Sequence, residues 1–474
     1  MLQVSDQEIA SRLREENPWW TAGGGIEREY AAYPRRAYLA PFSRMLRSDG
    51  PQRALLLLGS RRVGKTIMVF HAIDALLRDG VPGRDILFVS MDTPTFFGQS
   101  LDALLRRFQR TFERPEGAPL YVFFDEIQYL KDWEVHLKSL VDSHRGIRFV
   151  ATGSAAAALK HKSAESGAGR FTEFVLPPLT FFEYLRFLNI EDALIVDDEE
   201  RVDASRFRAR DLHALNEAFI AYVNFGGYPE AVFSEAVRHN ARRYIKSDII
   251  DKVLLRDLPS LYGIADVQEL NALFNTVAYN SAQEISVEDL SKSSGVTKPT
   301  INKYLEYLEA AFLIKRLRRL DENAARFRKA MTFKVYLTNP TMRAALFTPL
   351  DADNPALGHM VETAVFSQWL HNAAYIESLH YARWKKGEVD LVSLDPALKP
   401  RFAVEVKWSD RPADDPKEIR ALLEFARTNP LTRRPLVTTR TVTTTQIIDG
   451  IEVEFTPTAL HCYTVGRNTL ERSR

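Results

Sequence analysis

The chain has 474 residues, a length that allows about two to four domains with substantial hydrophobic cores. Its 63 Lys and Arg residues nearly balance its 62 Asp and Glu residues, so a nucleic-acid surface would have to be a local patch. The single cysteine, Cys462, excludes an intramolecular disulfide and a cysteine-cluster metal site. Asp6, Glu8, Glu15 and Glu16 near the start argue against a signal peptide, and no apolar run approaches the ~18 residues of a membrane helix. A cytoplasmic protein is expected.

The stretch Arg53–Thr66 combines a strand, a glycine loop and the start of a helix. The four leucines Leu55–Leu58 are typical of a buried parallel strand, and an amphipathic stretch to Leu77 follows the loop. In such a loop backbone N–H groups converge on phosphate oxygens, the lysine reaches the β- and γ-phosphates, and the threonine hydroxyl can bind Mg²⁺. The pattern predicts a site for ATP and Mg²⁺ that comprises Gly59, Ser60, Arg61, Arg62, Val63, Gly64, Lys65 and Thr66.

Three more buried strands are predicted at 85–90, 119–124 and 147–151, with helices between them. Asp125 and Glu126 directly follow the second of these strands. In a nucleotide hydrolase such an aspartate holds Mg²⁺, and the glutamate orients and deprotonates the attacking water. Thr152 or Ser154, at the end of the last strand, is a candidate γ-phosphate sensor, with a plain strand-end turn as the alternative. The alternation predicts a doubly wound parallel α/β sheet.

Two features upstream of the loop have alternative interpretations. Trp19 and Trp20 could stack on a base, but anchoring of the N-terminal arm to the core is favoured. Arg35, Arg36 and Tyr38 could touch the base of the nucleotide, but solvated surface charge is the favoured interpretation.

These residues together resemble the AAA+ ATPases, and most closely a prokaryotic branch that carries DNA-binding and nuclease-like domains behind the ATPase. The resemblance rests on the glycine loop, on Tyr121–Gln128 and on Thr152–Ser154, and it extends through 165–171 and 176–185. It implies a helical lid, a homo-oligomer and an arginine that acts on the γ-phosphate. Arg170 is the candidate arginine, in cis or in trans, and an exposed loop arginine is the alternative. No second sensor arginine is evident in the predicted lid.

Residues 285–305 have the pattern of a helix–turn–helix, with a turn at Gly295, a cap at Thr297 and Pro299 in the first turn of the second helix. Strands near 312–317 and 332–337 would complete a winged helix. DNA is the predicted partner and packing between subunits is the alternative. The predicted contacts are Lys298, Thr300, Asn302 and Lys303, together with a basic wing of Lys315, Arg316, Arg318, Arg319, Arg326, Arg328, Lys329 and Lys334.

The carboxyl-terminal region contains a predicted strand at 384–392 that carries Asp390, and a second strand with Glu405 and Lys407 on one face. Two carboxylates can hold Mg²⁺ or Mn²⁺, and the lysine can activate water for attack on a phosphodiester. The pattern resembles the PD-(D/E)xK nuclease superfamily, which implies that Glu362 is the helix carboxylate; Val389 stands where that family has proline. An exposed ion pair is the alternative, and the fold alone does not establish cleavage.

The predicted fold is a P-loop AAA+ core with a helical lid, a winged helix and a restriction-endonuclease-like α/β domain. The leading hypothesis is a DNA-binding ATPase with a nuclease domain gated by the nucleotide. One alternative is a nucleotide-dependent switch whose inactive nuclease-like domain only binds partners; a translocating motor is another. The predicted parts are an arm at 1–45, the AAA+ core at 46–175, the lid and connector at 176–278, the winged helix at 279–340 and the nuclease-like domain at 341–474.

Overall fold

The structure is a computed structural model that describes residues 4–48, 50–114, 119–154, 169–198, 200, 206–325 and 332–471. The chain forms two compact units, Met1–Leu176 and Pro177–Ser473. Across the described ranges, no helix combines the length and apolarity needed to cross a membrane.

A five-stranded parallel sheet is the centre of the first unit, with the strand order β2-β3-β4-β1-β5. The four strands predicted from sequence are present, and the edge strand β5 is an addition. Its alternating burial makes its apolar signal weak. The strands are β1 (Ala54–Leu58), β2 (Ile86–Ser90), β3 (Leu120–Asp125), β4 (Ile147–Gly153) and β5 (Phe171–Val175). The helices are α1 (Asp6–Glu16), α2 (Arg28–Ala32), α3 (Leu39–Arg47), α4 (Lys65–Arg78), α5 (Leu101–Thr111) and α6 (Trp133–Ser143).

The strand order determines which loops meet at the carboxyl edge of this sheet. The glycine loop follows β1, and Asp125 ends β3. Strand β4, which carries Thr152, lies between β1 and β3. Because all five strands are parallel, these three polar positions converge at one edge.

The N-terminal arm packs against strand β2. The indole N–H groups of Trp19 and Trp20 donate to the carbonyl of Ile86, at 3.2 and 2.8 Å. The Asn17 carboxamide exchanges two hydrogen bonds with the backbone of Phe88, at 2.8 and 2.7 Å. These contacts confirm the anchoring interpretation of the tryptophan pair.

The second unit begins with helices and a short hairpin, and ends with a large sheet. Its hairpin, β6 (Ile195–Asp197) and β7 (Phe207–Ala209), interrupts a region predicted to be helical. Two π-helical segments, Arg242–Asp251 and Val253–Asp257, precede α12. The helices are α7 (Phe181–Phe187), α8 (Glu191–Leu194), α9 (Leu212–Phe225), α10 (Pro229–Phe233), α11 (Glu235–His239), α12 (Leu258–Tyr262), α13 (Val267–Tyr279), α14 (Val287–Ser294), α15 (Lys298–Ala310), α16 (Thr341–Leu346), α17 (Leu357–Ser367), α18 (Ala373–Ser378), α19 (Arg411–Asp414), α20 (Arg420–Thr428) and α21 (Thr458–Glu471).

One nine-stranded sheet runs through both carboxyl-terminal regions that the sequence predicts as separate domains. The pair β9–β10, predicted as a wing, lies inside this sheet, because β9 also pairs in parallel with β11. The order is β15-β16-β14-β13-β12-β11-β9-β10-β8. The strands are β8 (Gln283–Ser286), β9 (Ile314–Leu320), β10 (Thr332–Leu337), β11 (Leu379–Trp384), β12 (Gly387–Leu394), β13 (Pro400–Glu405), β14 (Leu436–Thr439), β15 (Thr444–Ile448) and β16 (Ile451–Pro457).

Helices α14 and α15 occur where the sequence predicts a helix–turn–helix. Gly295 has a φ of +73° after α14, a conformation that glycine adopts without strain. The Thr297 hydroxyl accepts a hydrogen bond from the backbone N–H of Thr300 and so caps α15. Asn302 and Lys303 are exposed on the opposite side of α15 from its buried residues.

Candidate functional site

The glycine loop closes around the side chain of Lys65. The ammonium group donates to the carbonyl oxygens of Gly59 and Ser60, at 3.2 and 3.0 Å, and the residue is 5% exposed. Gly64 has a φ of +93°, and a Cβ on Gly59 would lie 2.4 Å from the carbonyl oxygen of Leu176. Both glycines are therefore required by the local geometry. The loop is therefore compact, with the Lys65 ammonium folded onto its carbonyl oxygens.

A hydrogen-bond network joins the loop to the two neighbouring strand ends. The Thr66 hydroxyl donates to Oδ2 of Asp125 at 2.8 Å, and the Thr152 hydroxyl donates to its Oδ1 at 2.5 Å. The Thr152 oxygen in turn accepts from the backbone N–H of Glu126 at 3.0 Å. Thr66 at the start of α4, Asp125 at the end of β3 and Thr152 on β4, which the sequence predicts separately, are thus in direct contact.

Burial dominates the electrostatics of Asp125. Desolvation, followed by the nearby Glu126 carboxylate, raises the pKa of Asp125 to about 6, although hydrogen bonds from Thr152 and Thr66 oppose the shift. A cation at this carboxylate would lower its pKa again. The hydroxyl of Thr66 and the carboxylate of Asp125 supply the hard oxygen atoms that Mg²⁺ prefers, so the pair fits this metal.

Glu126 is held by a residue that the sequence analysis did not assign. The Gln128 carboxamide donates to the Glu126 carboxylate, and its oxygen accepts from the backbone N–H of Ser154 at 3.3 Å. Among the described residues, the hydroxyls of Ser154 and Ser60 are buried without a hydrogen-bond partner. Because Thr152 is engaged with Asp125, the Ser154 hydroxyl is the better placed candidate for a phosphate sensor.

Arg36 supports the loop from behind. Its guanidinium donates to the carbonyl of Val63 at 2.6 Å and lies 5.4 Å from the centre of the Tyr38 ring. Arg36 is 5% exposed, so the expectation of solvated surface charge is wrong for this residue. Its neighbour Arg35 pairs with Asp74 at 2.6 Å. The sequence has no periodic pattern around Arg35 and Arg36 from which the burial of Arg36 could be predicted.

Arg170 lies at the edge of the sheet opposite the glycine loop. Its carbonyl accepts from the N–H of Ala54, the first residue of β1, and its guanidinium contacts Asp142 at 2.5 Å. Five strand residues at about 3.3 Å each separate this position from the loop. Arg170 is therefore too distant to act on a nucleotide in its own chain, which leaves two predictions, an exposed loop arginine and a role in a neighbouring subunit.

The second unit brings together the carboxylates predicted for a nuclease-like centre. Asp390 lies on β12 and accepts from the backbone N–H of Val406 at 2.9 Å. Glu405, at the end of β13, pairs with Lys407 at 2.8 Å. Glu362 lies on α17, and all three carboxylates are buried.

Lys334 occupies the middle of this centre, which we call the carboxylate centre and which comprises Glu362, Glu388, Asp390 and Glu405. The Lys334 ammonium lies 2.8 Å from Glu362, 2.7 Å from Glu388 and 2.9 Å from Asp390. The residue is 2% exposed, so its prediction as a DNA-binding wing residue is wrong. The local excess of basic residues suggested an outward lysine, but helix α17 covers that face of β10 and supplies Glu362. The sequence feature that could have indicated a buried Lys334 is its place in a strand of apolar residues, where a buried charge needs partners.

Burial also controls protonation in the carboxylate centre. It raises the pKa of Glu362 to about 7 and that of Glu405 to about 8, with Asp390 adding to both shifts. Burial opposes ionisation of Asp390 as well, but Lys334 and Lys407 hold the pKa of Asp390 below its usual value. One buried oxygen of Glu405, Oε2, has no hydrogen-bond partner among the described residues.

The predicted metal site at Asp390 and Glu405 does not fit this geometry. In the described part of the chain, no three His, Cys, Asp or Glu side chains are arranged to hold a metal ion. The Asp390 oxygens are directed to the Lys334 ammonium and to a backbone N–H. A lysine cation takes the central position, and no step of a metal-dependent reaction follows from this arrangement.

The remaining predicted DNA contacts are only partly available. Lys298 pairs with Glu288 at 3.0 Å, and Arg316 pairs with Glu309 at 2.7 Å. Lys315 and Thr300 are half-buried, and Arg318 is exposed. The Nε of Arg319 donates to the carbonyl of Arg383. The predicted contacts Arg326, Arg328 and Lys329 lie outside the described residues.

Two family models match parts of the chain. Residues 51–185 match an AAA domain, and residues 216–354 match a domain of unknown function (DUF8612). An uncharacterized protein of Methanocaldococcus jannaschii is 25% identical over 352 residues, which cover 72% of each chain. An uncharacterized protein of Haemophilus influenzae is 24% identical over 367 residues, which cover 75% of this chain and 84% of that protein.

Among solved structures, Cdc6p from Pyrobaculum aerophilum shares 14% identity. The aligned region covers 68% of this chain and 97% of the Cdc6p chain. The TM-score of 0.28 is too low to support an argument about fold. The AAA match, by contrast, spans the glycine loop, Asp125 and Glu126, and Thr152. Residues 51–185 are accordingly similar to an AAA domain.

Proposed function

We propose that the first unit hydrolyses ATP at the edge where β1, β3 and β4 end. The observation that carries this proposal is the hydrogen bond from Thr66 to Asp125. It joins the helix that follows the glycine loop to the acidic residue at the end of β3. A hydroxyl and a carboxylate at this distance share one cation readily. When bound, Mg²⁺ neutralises charge on the β- and γ-phosphate oxygens.

Each residue then has a distinct role. Lys65 binds the β- and γ-phosphates, and Thr66 and Asp125 hold Mg²⁺. Glu126 takes a proton from the water whose oxygen attacks the γ-phosphorus, and the bond from that phosphorus to the β-bridging oxygen breaks, which releases ADP and phosphate. Gln128 keeps the Glu126 carboxylate near the strand end, and Ser154 offers a buried hydroxyl.

The Lys65→Ala variant tests nucleotide binding. We expect its affinity for ATP to fall at least about tenfold, because a charged hydrogen-bond donor to phosphate is lost. Equilibrium binding of a fluorescent ATP analogue to the full chain measures this change. Lys131→Ala is the control, since Lys131 is an exposed lysine of the same unit. Equal affinities for ATP in Lys65→Ala and wild type would contradict the proposal that the glycine loop binds the phosphates.

For the second unit, the geometry supports nucleic-acid binding without cleavage, the alternative in which the nuclease-like domain is inactive. The Lys334 contacts occupy the carboxylate centre, as described above. A separate groove of about 640 Å³ combines five cations with two aromatic rings and three acidic residues. Cations bind phosphates, and the half-buried Trp384 ring can stack on an unpaired base, whereas the Phe425 ring is buried and stacks on Trp384. The lining residues are Arg319, Arg383, Lys385, Lys386, Arg427, Trp384, Phe425, Thr428, Asp321, Glu322 and Glu424.

The salt dependence of binding tests the nucleic-acid proposal. Lys385 and Lys386 are exposed in the turn between β11 and β12. If both contact phosphates, Lys385→Ala/Lys386→Ala should reduce the slope of log K against log salt by about 1.8 on a labelled duplex. The corresponding loss on a single strand should be about 1.4. The matched control is Lys399→Ala/Lys417→Ala, which removes two exposed lysines elsewhere in the unit.

A second variant separates the groove from helix α15. Asn302→Ala/Lys303→Ala removes two exposed polar residues of that helix. A lower slope in this variant alone would transfer the proposed surface to α15, as the sequence analysis predicts. No binding of either nucleic acid by wild type at low salt would reject the proposal for both surfaces.

A further inference from the structure

The carboxylate centre contains a cation supplied by the chain itself. Lys334 and Tyr336 alternate along β10, so both side chains project from the same face of the sheet. The Tyr336 hydroxyl donates to Oε1 of Glu362 at 2.7 Å, the same oxygen that contacts Lys334. Strand β10 therefore inserts two donors into a group of buried acids.

The Lys334 ammonium donates hydrogen bonds to Glu362 and Asp390 and forms a third ion pair with Glu388. A lysine ammonium has three N–H donors, and three carboxylates lie within 2.9 Å of this nitrogen. These carboxylates come from α17 and from two positions on β12, so Lys334 joins β10 to both elements. Its position is that of a bridging ion rather than of a side chain beside a metal site.

A divalent cation at the same carboxylates would have to displace this ammonium. Mg²⁺ binds oxygen at about 2.1 Å, and the oxygens of Glu362 and Asp390 already point at the lysine nitrogen. Two cations this close repel strongly in a buried centre. Lys334 is 2% exposed and β10 is paired on both edges, so withdrawal of the lysine would disturb the sheet.

We propose that Lys334 replaces the divalent cation of the carboxylate centre, and that its removal creates a binding site for Mn²⁺ or Mg²⁺. The site would be formed by Glu362, Glu388 and Asp390, with Glu405 beside them. This inference extends the proposed non-cleaving role of the second unit. It is independent of nucleotide binding in the first unit and of nucleic-acid binding in the groove.

Mn²⁺ binding to the nucleotide-free full chain tests the proposal, with free Mn²⁺ counted by electron paramagnetic resonance. Lys334→Met is expected to bind one more Mn²⁺ than wild type. The affinity for this additional ion should be at least about tenfold higher than that of any Mn²⁺ site in the second unit of wild type. The Lys334→Met/Asp390→Asn variant should lose the additional ion. Lys292→Met, which removes an exposed lysine paired with Glu288, is the control and should match wild type.

Two results would overturn the proposal. One is a folded Lys334→Met protein that binds no more Mn²⁺ than wild type. The other is a wild-type protein that already binds Mn²⁺ and loses it in Asp390→Asn; this comparison decides the question even where Lys334→Met does not fold. Neither result affects the ATP or nucleic-acid measurements, so failure here is distinguishable from failure of the proposed function.

Discussion

The Glu126→Gln substitution is expected to slow ATP turnover about 100-fold or more while leaving ATP affinity within about threefold of wild type. Glutamine keeps the size and polarity of the side chain but cannot accept the proton of the attacking water. The contact with Gln128 can persist, because an amide oxygen also accepts a hydrogen bond. The measurements are steady-state phosphate release and equilibrium nucleotide binding on the same preparation.

Glu113→Gln is the matched control, because Glu113 is an exposed glutamate of the same unit. It should turn over ATP at the wild-type rate. A parallel loss of turnover and affinity in Glu126→Gln would assign this residue to binding instead of proton transfer. Wild-type turnover in Glu126→Gln would require another base.

The Lys334→Met substitution is expected to lower the free energy of unfolding of the second unit by about 3–5 kcal/mol in the absence of divalent metal. The physical reason is that three carboxylates lose their common cation within a buried centre. Urea unfolding, monitored through hydrogen exchange of the β10 amides, measures the free energy of unfolding of the second unit directly. Lys292→Met should change stability by no more than about 0.5 kcal/mol, because its partner is a surface glutamate.

The size of this destabilisation should depend on pH. The pKa of Glu362 is raised to about 7 in the folded protein, so at pH 6 it carries a proton and at pH 8 it is charged. A raised carboxyl pKa favours the folded state at low pH, and this benefit is lost as pH rises through 7. Lys334→Met should therefore lose more stability at pH 8 than at pH 6. An equal loss at both values would mean that Glu362 is not coupled to Lys334.

Much of the first unit follows from local patterns. The run of leucines before Gly59, the spacing to Lys65 and the acidic pair after a buried strand each predict a feature at the right place. Parallel topology then brings these features together. The sequence predicts that the residues around Asp125 lie close together, but it does not predict their hydrogen bonds. The choice of Thr152 as a partner of Asp125 depends on side-chain geometry at the end of β4.

The second unit was less predictable because its key contacts connect distant segments. Glu362, Asp390, Glu405 and Lys407 were found by their spacing and by resemblance. Lys334 was assigned to a basic wing because neighbouring residues in sequence are basic, and local charge does not reveal which face a later helix covers. The parallel pairing of β9 with β11 likewise joins residues 60 or more positions apart.

The central claim is that the loop at Lys65 and the acidic residues at the end of β3 hydrolyse ATP. The most direct measurement is phosphate release from ATP by the full chain with Mg²⁺, compared with the same protein after Lys65→Ala. We expect Mg²⁺-dependent release in wild type and release at least about 100-fold lower in the variant. Equal phosphate release from wild type and Lys65→Ala would contradict the central claim.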